Sequence, residues 1–273
     1  MSSLVGVEFE PLHAAHAIDN VQFILNFAST ISDVDWLAVL AAAREHKGDF
    51  PGEELVTSFA VAVAGTVVEG KPGIALRRMA PNGAIEEEFV ITRGALVYRT
   101  SKYVRWAGCW QRAREIFDSV LKAVPEGVVL SNIGQSVVDK FVHQGTPSRN
   151  SPQSVLRKGS PYICSHVFER DDLWHSHTGA FIKHDPYTRR LRNINIDYLD
   201  DQISGLTMRT LAISIVVSDQ FQQQGYEPIT THIMDTSTLI DEHMQNLHQE
   251  NKMILSQLLT AEMARRIALT PTP

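Results

Sequence analysis

The C-terminal tail constrains the fold more than any other stretch of the chain. Ile240, Met244, Leu247, Ile254, Leu258 and Ala261, with Asn251 among them, recur at alternating four- and three-residue steps, the spacing of a helix seam. A helix over residues 237–259 would be ~35 Å long at 1.5 Å per residue. Leu255 and Leu259 widen the apolar stripe, which favours packing on a sheet over a bare two-stranded coiled coil. Asp235, Thr236 or Ser237 can cap its start, and Thr260 is placed to cap a short final helix over 261–268.

The strands such a helix needs can be read upstream. Residues 20–28 alternate Val21, Phe23, Leu25 and Phe27 with Gln22, Ile24 and Asn26, the pattern of a half-buried strand. Ser32 or Asp33 caps a following helix whose inward residues are Trp36, Leu37, Val39 and Leu40. Residues 57–68 read as another strand. Residues 73–80 and 84–91 flank Pro81-Asn82-Gly83, a hairpin signal that sets Arg78 opposite Glu87 and Arg77 opposite Glu88. A strand at 95–100, a helix at 105–123 carrying Trp106 and Trp110, and an extended segment at 128–142 complete the first half. The second half adds strands at 188–197 and 206–218, with a turn at Asp185-Pro186 and a polar loop at 220–228. Residues 146–160 alone have linker composition. The expected fold is α+β in two packed subdomains, 1–145 and 161–273, joined by that linker, with mainly antiparallel sheets and a long C-terminal helix followed by a short one.

Bulk properties exclude several classes. At 273 residues, 44% hydrophobic and 21% charged, the chain is globular rather than disordered. A net charge of −6 disfavours broad binding to nucleic acid or anionic membrane. The N-terminus lacks a secretory pattern, no apolar run approaches the ~20 residues that span a bilayer, and Cys109 and Cys164 are too few for a disulfide framework. The expected location is the cytoplasm, with both thiols reduced.

One segment concentrates chemistry. If residues 169–172 turn the chain, His166 falls opposite His175 and Cys164 opposite His177, all on one sheet face. Zinc or a similar divalent ion would suit that donor set at about 2.0–2.3 Å. Tyr162, Phe168, Leu173 and Phe181 share that face, however, so a packed hairpin with hydrogen-bonded histidines is the plainer reading, without a cofactor. His243 and His248, five apart, diverge too far for a ligand pair, and His248 is expected to hydrogen-bond a neighbouring element. Asp197, Asp200 and Asp201 read as turn or helix caps. No phosphate loop, nucleophile elbow or paired-cysteine zinc motif is present.

Leu247-His248, Ile254-Leu255, Leu258-Leu259 and Thr260 resemble the closing signature of a sporadically distributed bacterial family of uncharacterised proteins of similar length. Residues 20–27 after Pro11, Tyr103 with Trp106, and residues 193–197 resemble its opening strand, its Tyr-x-x-Trp step and its late Asp-ending strand. Residues 131–135 depart from the family's Arg-rich strand. The resemblance implies a two-part α+β protein without an established activity, of a kind associated with mobile-element or defence-related gene clusters. The leading expectation is a non-enzymatic binding or regulatory accessory module acting with a protein partner or as a homo- or hetero-oligomer. The alternatives are a metal-dependent enzyme using His166, His175 and His177, and a small-ligand protein with a pocket between sheet and tail helix.

Overall fold

The structure, a computed structural model, describes residues 9–56, 62–63, 66–67, 72–145, 151–170, 172–221 and 233–269. In chain order the first half comprises β1 (Phe9–Pro11), β2 (Ile18–Phe27), α1 (Asp33–Arg44), β3 (Gly52–Val56), the short pair β4 (Ala62–Val63) and β5 (Thr66–Val67), β6 (Gly73–Met79), β7 (Ile85–Thr92), β8 (Ala95–Thr100) and α2 (Trp106–Leu121). The second half comprises β9 (Leu130–His143), β10 (Trp174–Lys183), β11 (Thr188–Ile203), β12 (Leu206–Phe221), α3 (Ile233–Leu258) and α4 (Ala261–Arg266). Among the described residues no helix is long and apolar enough to cross a membrane.

Among the described residues, mainly antiparallel sheet with four α-helices makes this an α+β chain. Its main sheet has ten strands in the order β10-β11-β12-β9-β2-β8-β7-β6-β3, with β1 on the end of β9. Both halves repeat one plan. A first strand (β2 or β9) is followed by a connection, a three-strand meander and a helix, and the meander's last strand pairs back onto the first. The two first strands then pair antiparallel with each other, Val21 opposite Val137 and Phe23 opposite Gln135.

Alternation decides which face the helices cover. Val21, Phe23 and Leu25 of β2 are fully buried on the helix side, where Phe23 meets Trp110 of α2 at 5.3 Å between ring centroids. Ile213, Ile215 and Val217 of β12 lie on the same side, and Asn251 of α3 donates to the Ile215 carbonyl at 3.4 Å. Burying each such aliphatic side chain contributes about 1.5–3 kcal/mol, so the tail helix is held by the sheet it covers. Ser32 caps α1 by accepting from the Asp35 amide at 3.3 Å, and Thr260 caps α4 by accepting from the Met263 amide at 3.2 Å. The Asn82-Gly83 turn gives the expected register: Arg77 pairs Glu88 at 2.6 Å and Arg78 pairs Glu87 at 2.9 Å, with Gly83 at φ +81°.

Several expectations are corrected. The halves do not have separate sheets, because the β2–β9 pairing fuses them into one. Of the proposed linker, Ser151, Pro152, Val155, Leu156 and Ser160 are buried while Arg157, Lys158 and Gly159 are exposed; residues 146–150 lie outside the described residues. Val155 and Leu156 are fully buried, Leu156 bridges Leu259, and the Arg157 amide donates to the Leu258 carbonyl at 2.7 Å. Prolines and serines there make a tight 3-10 turn, Ser151–Ser154, rather than a flexible connection. Leu37 is 70% exposed, since α1 turns only Trp36, Val39 and Ala43 fully inward. Of the single strand expected at 57–68, the described residues are β4 and β5, which pair antiparallel with each other instead; of the loop expected at 220–228, Gln220 and Phe221 belong to β12 and the rest lies outside the described residues.

A candidate ligand-binding cavity

The histidine hairpin does not form. Residues 165–169 are a 3-10 turn, and β10 pairs with β11, so His175 faces Asp197 and His177 faces Asn195. Val167 and Phe168 are buried by that 3-10 turn rather than by strand pairing, and β10 ends the order of the main sheet with β11 as its one partner among the described residues. His177 instead bonds the Asn193 side chain, and Cys164, His166, His175 and His177 are all exposed. Among the described residues no three His, Cys, Asp or Glu side chains are grouped to hold a metal ion. Asp197, Asp200 and Asp201 lie within β11 rather than capping its end. Asp200 pairs Arg209 at 2.6 Å, Asp201 pairs Lys140 at 2.9 Å, and Asn195 donates to Asp197.

Polar groups gather instead at the centre of the sheet, beneath α3. A cavity of about 520 Å³ lies there, within the range of about 300–1,000 Å³ usual for small-molecule sites. Its floor is β9, whose helix-side residues Gln135, Val137 and Asp139 all line it. Ile18 and Val21 of β2 and the preceding His16 and Ala17 form one wall. Tyr103, Arg105 and Trp106, at the entry to α2, form another, and His248, Asn251, Lys252 and Leu255 of α3 the roof. Ile267 and Leu269, after α4, close the side. Arg266 fixes that end by bonding the Phe9 carbonyl at 2.9 Å and the Glu10 carboxylate.

Local chain geometry opens this space. Ile18 is paired with Asp139 and Asn20 with Val138, so Asp19 is the extra residue of a β-bulge at the cavity floor. Alternation sends Lys140, next to Asp139, through to the opposite face, where it pairs with Asp201 at 2.9 Å and Asp19 at 3.7 Å. The nearest lysine in sequence is therefore not available to Asp139.

The lining has unusual electrostatics. Asp139 is 1% exposed, and burial alone pushes its carboxyl up to about 7. Three buried polar atoms of this lining have no hydrogen-bond partner: His16 Nδ1, Gln135 Oε1 and Asp139 Oδ2. Burial, with His13 next, holds His16 below the ordinary imidazole range. Burial, then Lys252, pulls His248 down to about 4. The neutral His248 ring lies flat on Trp106, 3.9 Å between centroids and 2° between planes. Its principal partner is thus an aromatic face, where a hydrogen bond had been expected. Burial also pushes Tyr103 up to about 12, with Cys109 and then Asp139 as further causes. Near neutral pH the described lining therefore offers one titrating carboxyl, Asp139, with Lys252 and Arg105 as the cations.

A second pocket of about 390 Å³ lies near Glu87, Tyr98 and Arg112. Its charges satisfy one another: Glu87 takes Arg78 at 2.9 Å and the Tyr98 hydroxyl at 2.6 Å, and Asp49 takes Arg112 at 2.8 Å. Buried polar groups without partners distinguish the central cavity from this one.

The sequence marks Asn251 on the seam of the tail helix and His248 beside it, but gives Asp139, Gln135, Tyr103 and His16 no site role. A signal for two of them was present. Along β9 the helix-side series is Ile133, Gln135, Val137, Asp139 and Phe141, in which two polar residues interrupt a buried apolar face. No family model matches the chain, and no curated protein is significantly similar to it.

Proposed function

We propose that this chain is a non-enzymatic binding protein for a small organic molecule, held in the central cavity between sheet and tail helix. The observation that carries this reading is the set of three buried, unpartnered polar atoms on the floor and one wall of the cavity, Gln135 Oε1, Asp139 Oδ2 and His16 Nδ1. Leaving a buried polar atom without a partner costs about 1–3 kcal/mol, and a bound molecule supplying the missing hydrogen bonds recovers that cost. Apolar residues between the polar ones, Val21, Val137 and Leu255, provide the contact area such pockets use for affinity.

The test is to fill the cavity from its floor. Native mass spectrometry of gently purified protein, followed by a thermal-shift screen of small molecules, identifies ligands of the wild type. Val137→Trp places an indole in the cavity and abolishes their binding while the circular dichroism spectrum stays that of the wild type. Binding that survives in a folded Val137→Trp protein places the ligand elsewhere and overturns the proposal.

A further inference from the structure

We infer that the molecule bound in the central cavity carries a positively charged nitrogen, an ammonium or amidinium group, for which Asp139 is the counter-ion. This rests on the cavity being a ligand site, as proposed above, and adds the chemistry of the ligand.

The argument begins with the buried carboxylates. Four acidic residues are buried among the described residues: Glu87, Glu88, Asp139 and Asp219. Glu87 is paired with Arg78 at 2.9 Å and Glu88 with Arg77 at 2.6 Å. Asp219 takes a bidentate Arg190 at 2.7 and 2.9 Å and His243 at 2.7 Å. Asp139 alone of the four has no ion pair, and its Oδ2 has no hydrogen-bond partner. Charges buried in proteins are paired as a rule, and here the position facing the carboxylate is the cavity itself.

The titratable and charged groups around Asp139 come from every wall. His16 precedes β2, Tyr103 and Arg105 lead into α2, and His248 and Lys252 project from α3. Neither cation acts on Asp139, whose shift has burial as its sole cause. Arg105 is exposed, which puts it at the mouth. Burial keeps His248 neutral and lowers His16 below the ordinary imidazole range, and Tyr103 stays protonated. A ligand cation is thus the group left to meet the carboxylate. Gln135 Oε1, a second acceptor on the same face, lies four residues along the strand, roughly 14 Å away at the backbone for a rise of 3.4 Å per residue. Val137 lies between them. An elongated molecule with a cationic end, an apolar middle and a hydrogen-bond donor at its far end matches this spacing.

The experiment uses three isosteric probes on the full chain: benzamidine, benzamide and benzoate. Calorimetry at pH 6 and pH 8 is expected to show benzamidine binding at least tenfold more tightly than either other probe at pH 8. Its affinity should rise about tenfold from pH 6 to 8, following the fraction of Asp139 that is ionised. At pH 6, titrations in phosphate and in bis-Tris should show release of close to one proton per benzamidine bound. Asp139→Asn should remove the cation preference and the proton release together; the proton measurement on wild type stands without the variant. If benzamide matches benzamidine, or if benzamidine binds with no pH dependence and no proton release, the counter-ion assignment is overturned while the cavity remains a ligand site. If benzoate binds best, the charge assignment is likewise overturned. If none of the probes binds and a fragment collection spanning cations, neutral molecules and anions gives no shift, the cavity reading fails and this inference with it.

Discussion

The carboxyl of Asp139 titrates at about 7 in the folded chain against an ordinary 3.8, because the backbone pairing of β9 fixes it under α3, away from solvent. The folded state therefore keeps a proton that the unfolded chain has released, and stability falls as pH rises from about 4 to 7. A shift of this size corresponds to roughly 4 kcal/mol. His248 has the opposite sign. Its folded value of about 4 lies below the ordinary 6.5, so the unfolded chain takes up a proton first and stability is lost as pH falls from 6.5 to 4. Discounted for its partial exposure, that loss is roughly 2–3 kcal/mol. Urea denaturation should separate the two. Asp139→Asn should be more stable than wild type by a few kcal/mol at pH 8, with the advantage shrinking toward pH 4. His248→Gln should be less stable at neutral pH, having lost its stack on Trp106, and the gap should narrow as pH falls from 6.5 to 4. Parallel curves for either variant would show that the residue does not titrate as described. A substitution that stabilises the fold while abolishing cation binding is the expected signature of a group retained for its ligand.

At the level of elements, the segment after β9 shows why composition misled. Pro152, Ser151 and Ser154 have linker chemistry, yet Ser151 and Pro152 are buried and Thr260 reaches back to Ser154 and Val155. The Thr260 amide donates to the Val155 carbonyl at 2.8 Å, and its hydroxyl donates to the Ser154 carbonyl at 3.1 Å. This segment therefore fixes the break between α3 and α4. Leu156→Ala should cost about 2–5 kcal/mol, as a fully buried leucine does, where the same change in a solvated linker leaves stability within about 0.5 kcal/mol. A shift of the denaturation midpoint within the smaller range would restore the linker reading. Local signals were legible where the partner lies close in sequence. The Asn82-Gly83 turn fixed Arg77–Glu88 and Arg78–Glu87, and the caps at Ser32 and Thr260 were readable because they act within three residues. The hairpin proposed around His166 and His175 failed for another reason: residues 165–169 coil into a 3-10 turn that buries Val167 and Phe168, so only its second strand, β10, forms, and it pairs with the strand that follows it, β11. The cavity was legible only in its roof. Its floor requires knowing that β2 and β9, more than a hundred residues apart, are neighbours.

For the whole molecule, that same pairing decides whether the halves are independent. Each has the plan of a first strand, a meander and a helix, but β2 and β9 are the two central strands of one sheet, and each would become an edge if the other were removed. The helix layers are also joined: the Trp110 indole donates to Asp241 at 2.6 Å, the Trp106 indole donates to Gln245 at 3.0 Å, and Arg114 donates to Ser237 at 3.2 Å. A cut in the turn at Pro125–Gly127 would strip Val21, Phe23 and Leu25 of their neighbours on β9 and expose the α2 face that meets α3. Neither fragment, 1–126 or 127–273, should then fold alone, whereas mixing the two should restore the far-ultraviolet circular dichroism of the intact chain. The uncut protein should unfold in one step, with tryptophan fluorescence and circular dichroism tracing the same urea curve. A cooperative transition in either isolated fragment, or two resolved transitions in the intact chain, would establish independent domains. The cut also separates the cavity walls, because His16 and Tyr103 belong to one fragment and Asp139 and His248 to the other. Ligand binding that reappears only on mixing is therefore expected, and it ties the proposed site to the seam on which the fold itself depends.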